Sequence, residues 1–221
     1  MMSVQIQADA EDLAYWYLRL NGCFTFRNFI VHPETGSDVR TDVDVPAVRF
    51  PYRCERLIEP MEDDTILTQV SQKPFVIVAE AKAPPCRLNE SWRKRDNLER
   101  IVRAVGAFSN GEIKDAVDGL QKEGSYESCS CRMTIACFGC ATKPQLQEEF
   151  PGILQVTWQH VLEFIHDRFS EYPDQKRAHG QWPAIGRKLY NHYLAHAKDK
   201  ASFVQSIRAV SHPGRTTSAP R

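Results

Sequence analysis

The stretch FVIVAEAKAP, residues 75–84, ends a run of Val, Ile and Ala with a carboxylate, a small residue and an amine. In an extended chain side chains alternate between two faces, so Glu80 and Lys82 share a face about 7 Å apart. Upstream, TDVDVPAVRF at 41–50 places Asp42 and Asp44 on one face of a second extended segment, with Val43 and Val45 on the other. A partly buried acidic face is costly unless a positive charge compensates it. With the two segments side by side, one aspartate approaches Glu80, and the pair repels until a proton or a cation intervenes. Hard oxygen ligands suit Mg²⁺ or Mn²⁺. Lys82 then faces the same point, able to orient or help deprotonate an attacking water. The chemistry expected is metal-assisted hydrolysis of a phosphodiester, in which the ion polarises the phosphoryl group and steadies the leaving oxygen.

Position distinguishes this tripeptide, not its composition. Glu112-Ile113-Lys114 and Asp174-Gln175-Lys176 repeat the pattern in polar surroundings and are expected on the solvated surface. The competing reading of Asp44 and Glu80 is local pairing with Arg or Lys at a sheet edge, since charges are also perturbed in purely structural networks.

These residues need elements to position them. Apolar spacing at Leu13, Trp16, Tyr17 and Leu20 predicts a helix over 8–22, stopped by Asn21-Gly22. Strands are expected at 23–32, 41–50, 75–82 and 131–139, with Pro46 suggesting an edge position or a bulge. Residues 51–74 read as an irregular connection, and 91–110 as a helix with a start signal at Ser91. Helices are also expected at 157–169 and 183–209. The order predicts an α/β fold with a central mixed sheet flanked by helices. Residues 1–150 form its core and 151–210 a helical C-terminal extension packed on it; 211–221 has no apolar periodicity and is expected to be disordered.

Composition sets the outer bounds. The 221 residues can bury a full core, and the net charge of zero means that a polyanion must be met by a local basic surface. No apolar run approaches bilayer-spanning length, which argues against a membrane partner. The N-terminal MMSVQIQADAEDLAYW has neither a basic start nor an apolar signal core, and seven cysteines form no regular framework. Both features predict a reducing cytoplasm.

The order of features, a helix bearing Glu11, a strand pair with Asp44, a strand ending Glu80-Ala81-Lys82 and then a helix, resembles the PD-(D/E)XK nuclease superfamily. DVDVPAVRF and VIVAEAKA match best, over roughly residues 8–110. The layout is most similar to the branch of archaeal Holliday-junction resolvases and standalone restriction-endonuclease-like proteins. The resemblance implies a restriction-endonuclease-like core, Asp44 and Glu80 as metal ligands joined by the Ala81 carbonyl, and Lys82 as the catalytic amine. It implies Glu11 as a further site carboxylate, with Asp12 as the competing choice and a solvated helix-start acid as the bland one. Val43 stands where the family name has proline. A DNA endonuclease of prokaryotic defence or repair follows, with a homodimer or a larger complex as the expected assembly. The alternative is a nuclease-like module that binds nucleic acid or protein without cutting.

Between 87 and 103, Arg87, Arg93, Lys94, Arg95, Arg100 and Arg103 outnumber the acids. Directly after the site they are suited to grip a DNA backbone, the competing reading being a solvated helix face. Arg93, Lys94, Arg95 and Arg100 are the candidate contacts, and Trp92 is expected to anchor the helix entrance more than to stack on a base. Cys129, Cys131, Cys137 and Cys140 invite zinc, but alternation along a strand makes their four-way convergence awkward, and packing is the favoured reading. His192 and His196, one helical turn apart, lack the glutamate of a metalloprotease motif and are assigned surface or core roles.

Overall fold

The computed structural model describes residues 6–31, 41–68, 72–177 and 181–211. Along them lie strand β1 (Ile6–Asp9), helix α1 (Ala10–Leu20), strands β2 (Phe24–Thr25), β3 (Phe29–Val31), β4 (Thr41–Val43) and β5 (Val45–Arg49). A single helical turn α2 (Thr65–Thr68) precedes strand β6 (Phe75–Ala81). A 3-10 turn at Glu90–Arg93 leads into α3 (Arg95–Val105), then α4 (Ile113–Glu123), β7 (Ser125–Glu127), β8 (Arg132–Gly139), α5 (Pro144–Glu149) and β9 (Leu154–Thr157). Next come α6 (Trp158–Glu171), α7 (Ala184–His196), α8 (Lys200–Gln205) and β10 (Ile207–Val210).

The fold is α/β, built on a mixed sheet of six strands in the order β2-β5-β6-β8, with β7 and β9 sharing the far side of β8. Strand β6 runs antiparallel to β5 and parallel to β8, the crossover between β6 and β8 carrying α3 and α4. All seven residues of β6 are buried, because helices cover the sheet on both faces; hence its unbroken apolar run. Phe75, Ile77, Ala79 and Ala81 pack in one core with α1, α6, α7 and α8. Val76 and Val78 face a second core with α3 and α4, and Glu80 continues that second face.

Several boundaries differ from expectation. The strand expected at 23–32 is two strands, divided where Asn28 takes a left-handed backbone (φ 59°). The strand at 41–50 is also two, bent at Asp44. Pro46 is not on an edge, for β5 lies between β2 and β6. Its carbonyl points at β2, accepting from Thr25 Oγ1 at 2.8 Å, so its missing N–H also falls on that side, where β2 ends after two residues.

Strand β9 extends the main sheet beyond residue 150, so the segment after that boundary is not purely helical. The helix expected at 183–209 is α7, α8 and β10, the last pairing parallel with β1. Asp199 starts α8 by accepting the Ser202 N–H at 3.0 Å. The tail expected to be disordered lies outside the described residues except for Ser211. Among the described residues no helix is long and apolar enough to cross a membrane.

Candidate active site

The β5–β6 register pairs Val45 with Ala79, which sets Asp44 opposite Glu80. There the chain bends, and β4 leaves to pair with β3. The next donor along β6, the Ala81 N–H, is met by Asp44 Oδ2 at 2.9 Å. The side chain thus closes the gap that the bend opens in the ladder, and is pinned by it. Lys82 Nζ pairs directly with Glu80 Oε1 and lies 3.6 Å from Asp44 Oδ2. The two carboxylates are 3% and 1% exposed. The structure therefore brings Asp44, Glu80 and Lys82 together.

Two residues that the sequence did not single out for this role hold Glu80. Asn89 Nδ2 donates to Oε1 at 2.5 Å, and Trp92 Nε1 donates to Oε2 at 2.8 Å. Trp92 is a buried anchor at the helix entrance, as expected, and its indole N–H needs the acceptor that Glu80 provides. Nothing in the spacing of Asn89 signals its part. Trp158 Nε1 donates to the Lys82 carbonyl at 2.9 Å and fixes the strand end.

Burial first, then the charge of Asp44, pushes the Glu80 carboxyl up to about 7, against the opposing pull of Lys82. Burial works against the charge of Lys82, but Glu80 and Asp44 outweigh it and raise its pKa. Both ends of this ion pair hold protons more tightly than usual, because one ammonium does not neutralise two buried carboxylates.

Asp44, Glu80 and the Ala81 carbonyl are the groups that could hold a hard divalent cation. The Ala81 carbonyl leaves β6 on the same edge as its N–H, the edge facing Asp44, so two carboxylates and one carbonyl are near one another. Among the described residues no group of three or more His, Cys, Asp or Glu side chains gathers as a metal site.

Glu11 stands on the first turn of α1, where its N–H is capped by Asp9 at 2.9 Å. The far end of α1, where Gly22 abuts Arg53 beyond β5, marks the opposite end of the sheet. Glu11 is thus at the end where β6 finishes, but on the helix covering the face opposite Glu80. Asp12, the competing acid, forms an ion pair with Arg27.

The basic segment is largely turned to the protein's own acids. Arg93 binds Glu149 in a fork at 2.7 and 2.8 Å, Arg95 pairs with Asp118, and Arg103 with Glu99 at 2.8 Å. Lys94 is exposed and Arg100 half-buried, with no ion pair for either among the described residues. The eight residues of β8 span roughly 26 Å and hold Cys129 and Cys140 apart. Cys131 and Cys137 are buried against backbone carbonyls, their thiols donating to Ala107 at 3.4 Å and to Arg87 at 3.2 Å. His192 Nε2 shares a hydrogen bond with Ser206 Oγ at 2.6 Å.

A second polar centre gave no signal in the sequence. His160 Nε2 lies 2.6 Å from Asp64 Oδ2, which also accepts from Tyr17 OH at 2.9 Å. No protein-family model, no curated protein and no solved structure matches this chain.

Proposed function

We propose that the chain is a Mg²⁺-dependent DNA endonuclease with a restriction-endonuclease-like core, a cytoplasmic enzyme of prokaryotic defence or repair. One observation carries the reading: two buried carboxylates from adjacent strands converge on each other with a single ammonium between them. A purely structural ion pair balances its charges, whereas this one leaves a negative excess that a divalent cation relieves.

Asp44, Glu80 and the Ala81 carbonyl hold the cation. Bound Mg²⁺ supplies polarisation of the phosphoryl group and stabilisation of the leaving oxygen. The Ala81 N–H orients Asp44, while Asn89 and Trp92 orient Glu80, so the acids are placed before substrate arrives. Lys82, its backbone fixed by Trp158, presents an ammonium that orients the attacking water and stabilises phosphoryl charge. Its raised pKa favours that role over proton acceptance in the resting site. Glu11 is a further carboxylate at the same end of the sheet. Lys94 and Arg100 are the backbone contacts; Arg93 and Arg95 join them only by giving up Glu149 and Asp118. Cutting both strands of a duplex calls for two such sites, hence a homodimer.

One observation favours a second reading, a nuclease-like module that binds without cutting. Both oxygens of Glu80 already accept hydrogen bonds within the protein, a network complete without metal. Cleavage of plasmid and branched DNA in Mg²⁺ or Mn²⁺ decides between the two. Wild type is expected to cut, and Asp44→Asn and Lys82→Ala to lose at least about 100-fold in rate. Equal rates in all three would remove these residues from the mechanism. Calorimetry showing DNA binding without Mn²⁺ uptake would select the binding module.

A further inference from the structure

An aromatic patch beside Asp44 has no part in the catalytic trio. Phe24 and Phe26 are 70% and 54% exposed. Phe24 packs edge-on to Phe50 with ring centroids 5.9 Å apart, and Phe26 edge-on to Phe29 at 5.5 Å. Large apolar side chains grouped in this way on a surface mark an interaction site. The patch borders a cavity of about 420 Å³, whose floor includes Pro46, Val48 and Val76 and whose far wall is Ala104 and Val105 of α3.

Pro46 is the lining residue next to the carboxylates, while Pro74, Val76, Ser130 and Cys131 carry the groove towards the start of β6. By the two-residue alternation Pro46 and Val48 lie on the sheet face of Asp44, and Val76 on that of Glu80. Pro46 is the next side chain after Asp44 on that face, about 7 Å away, close to one step of an extended nucleotide chain. The Asn28 N–H donates to the Asp44 carbonyl at 3.2 Å and Phe29 pairs with Val43, so the patch is tied to the backbone of the acid.

The groove itself is uncharged, with one cation at its side. None of the described lining residues is acidic. Arg100 precedes Ala104 by one helical turn and so stands on the same side of α3, with no ion pair among the described residues.

We propose that this groove receives an unpaired base of the nucleic acid whose phosphate reaches Asp44, Glu80 and Lys82. The preferred substrate is then single-stranded, flapped or frayed DNA, with duplex cut more slowly, where its strands open. Aromatic rings accept any base with a free π-face, whereas both faces of a base inside a duplex are covered by its neighbours. The inference rests on the nuclease reading for the phosphate, but capture of the base needs no cleavage.

The test titrates the full-length protein in EDTA with a labelled oligothymidine and with a duplex of equal length, following anisotropy. Tighter binding of the single strand is expected, weakened at least about fivefold by Phe26→Ala or Phe24→Ala and retained by Phe26→Trp. These side chains are exposed, so thermal melts of the variants are expected to match wild type. Equal affinity for both DNAs, or no effect of either alanine, overturns the proposal. So does a concentration-dependent dimer that the alanines abolish while DNA binding persists, which would make the patch a contact between copies at the β2 edge. Single-strand binding that the alanines weaken, in a protein that never cuts, leaves the base site standing and sinks the nuclease reading. Cleavage that the alanines leave unchanged on all substrates does the reverse.

Discussion

The indole N–H of Trp92 donates to Oε2 of Glu80 across 2.8 Å, linking the turn before α3 to the end of the central strand. Both residues are almost wholly buried. Trp92→Phe keeps most of the ring and removes the donor, leaving a buried acceptor unmatched. A loss of about 1–3 kcal/mol is expected in urea denaturation. In a Glu80→Gln background the loss should shrink, giving a coupling above about 0.5 kcal/mol. Additive effects would mean that the two side chains act independently.

Glu80 itself is a stability cost at neutral pH. Its folded pKa of about 7 lies above the ordinary 4.5, so the fold favours the protonated form. Below the ordinary value both states are protonated and nothing is lost; stability then declines as pH rises through the folded value. In EDTA, Glu80→Gln is expected to be more stable than wild type at about pH 8, by up to roughly 3 kcal/mol. The difference should vanish near pH 4.5, the ordinary carboxyl value. Melts showing the reverse ranking at the higher pH would show that the carboxylate is not destabilised by its surroundings.

Lys82→Met removes the only cation that touches both acids among the described residues. Two buried carboxylates then face each other, and a loss of about 3–5 kcal/mol is expected in EDTA at about pH 8. Mn²⁺ at millimolar concentration should restore part of the lost melting temperature, by binding the folded state alone. No response to Mn²⁺ in this variant would count directly against a cation site at Asp44 and Glu80.

The His160–Asp64 pair predicts a second pH dependence. Burial opposes ionisation of Asp64, yet the hydrogen bond from His160 lowers its pKa below the ordinary 3.8. The same hydrogen bond raises His160 above the ordinary 6.5, against burial. The contribution of the histidine is complete below 6.5 and fades as pH rises through its raised value; that of Asp64 is complete above 3.8 and fades as pH falls through its lowered value. Wild type should therefore lose stability from the upper edge of this window upward, and His160→Ala should flatten that loss. Parallel melting curves across the range would deny the pair this role.

Much of the site's skeleton was legible. Glu80 and Lys82 share a face because they are two apart in a strand, and the unbroken apolar run before them marks β6 as central. Helix α1 was equally plain from Leu13, Trp16, Tyr17 and Leu20. Helix α4 begins at the polar tripeptide 112–114, which masks its apolar face, although Ile113, Ala116, Val117 and Leu120 recur at helical spacing and are buried. Strand β9 and the β1–β10 pair are short, and four-residue segments of mixed polarity carry no decisive periodicity. Arg93 and Arg95 looked available because their partners, Glu149 and Asp118, lie on α5 and α4, 56 and 23 positions away.

Residue order alone established which side chains share a face, because repeat lengths along strands and helices come from backbone geometry that each segment carries with it. It thereby set out Asp44, Glu80 and Lys82 as candidates on extended segments. Only tertiary packing decided that Asp44 lies opposite Glu80, that the bend at Asp44 turns its carboxylate onto the Ala81 N–H, and that Asn89 and Trp92 close over Glu80. Those contacts depend on which strands and helices bury their apolar faces against one another, a condition of the whole chain that no local spacing encodes.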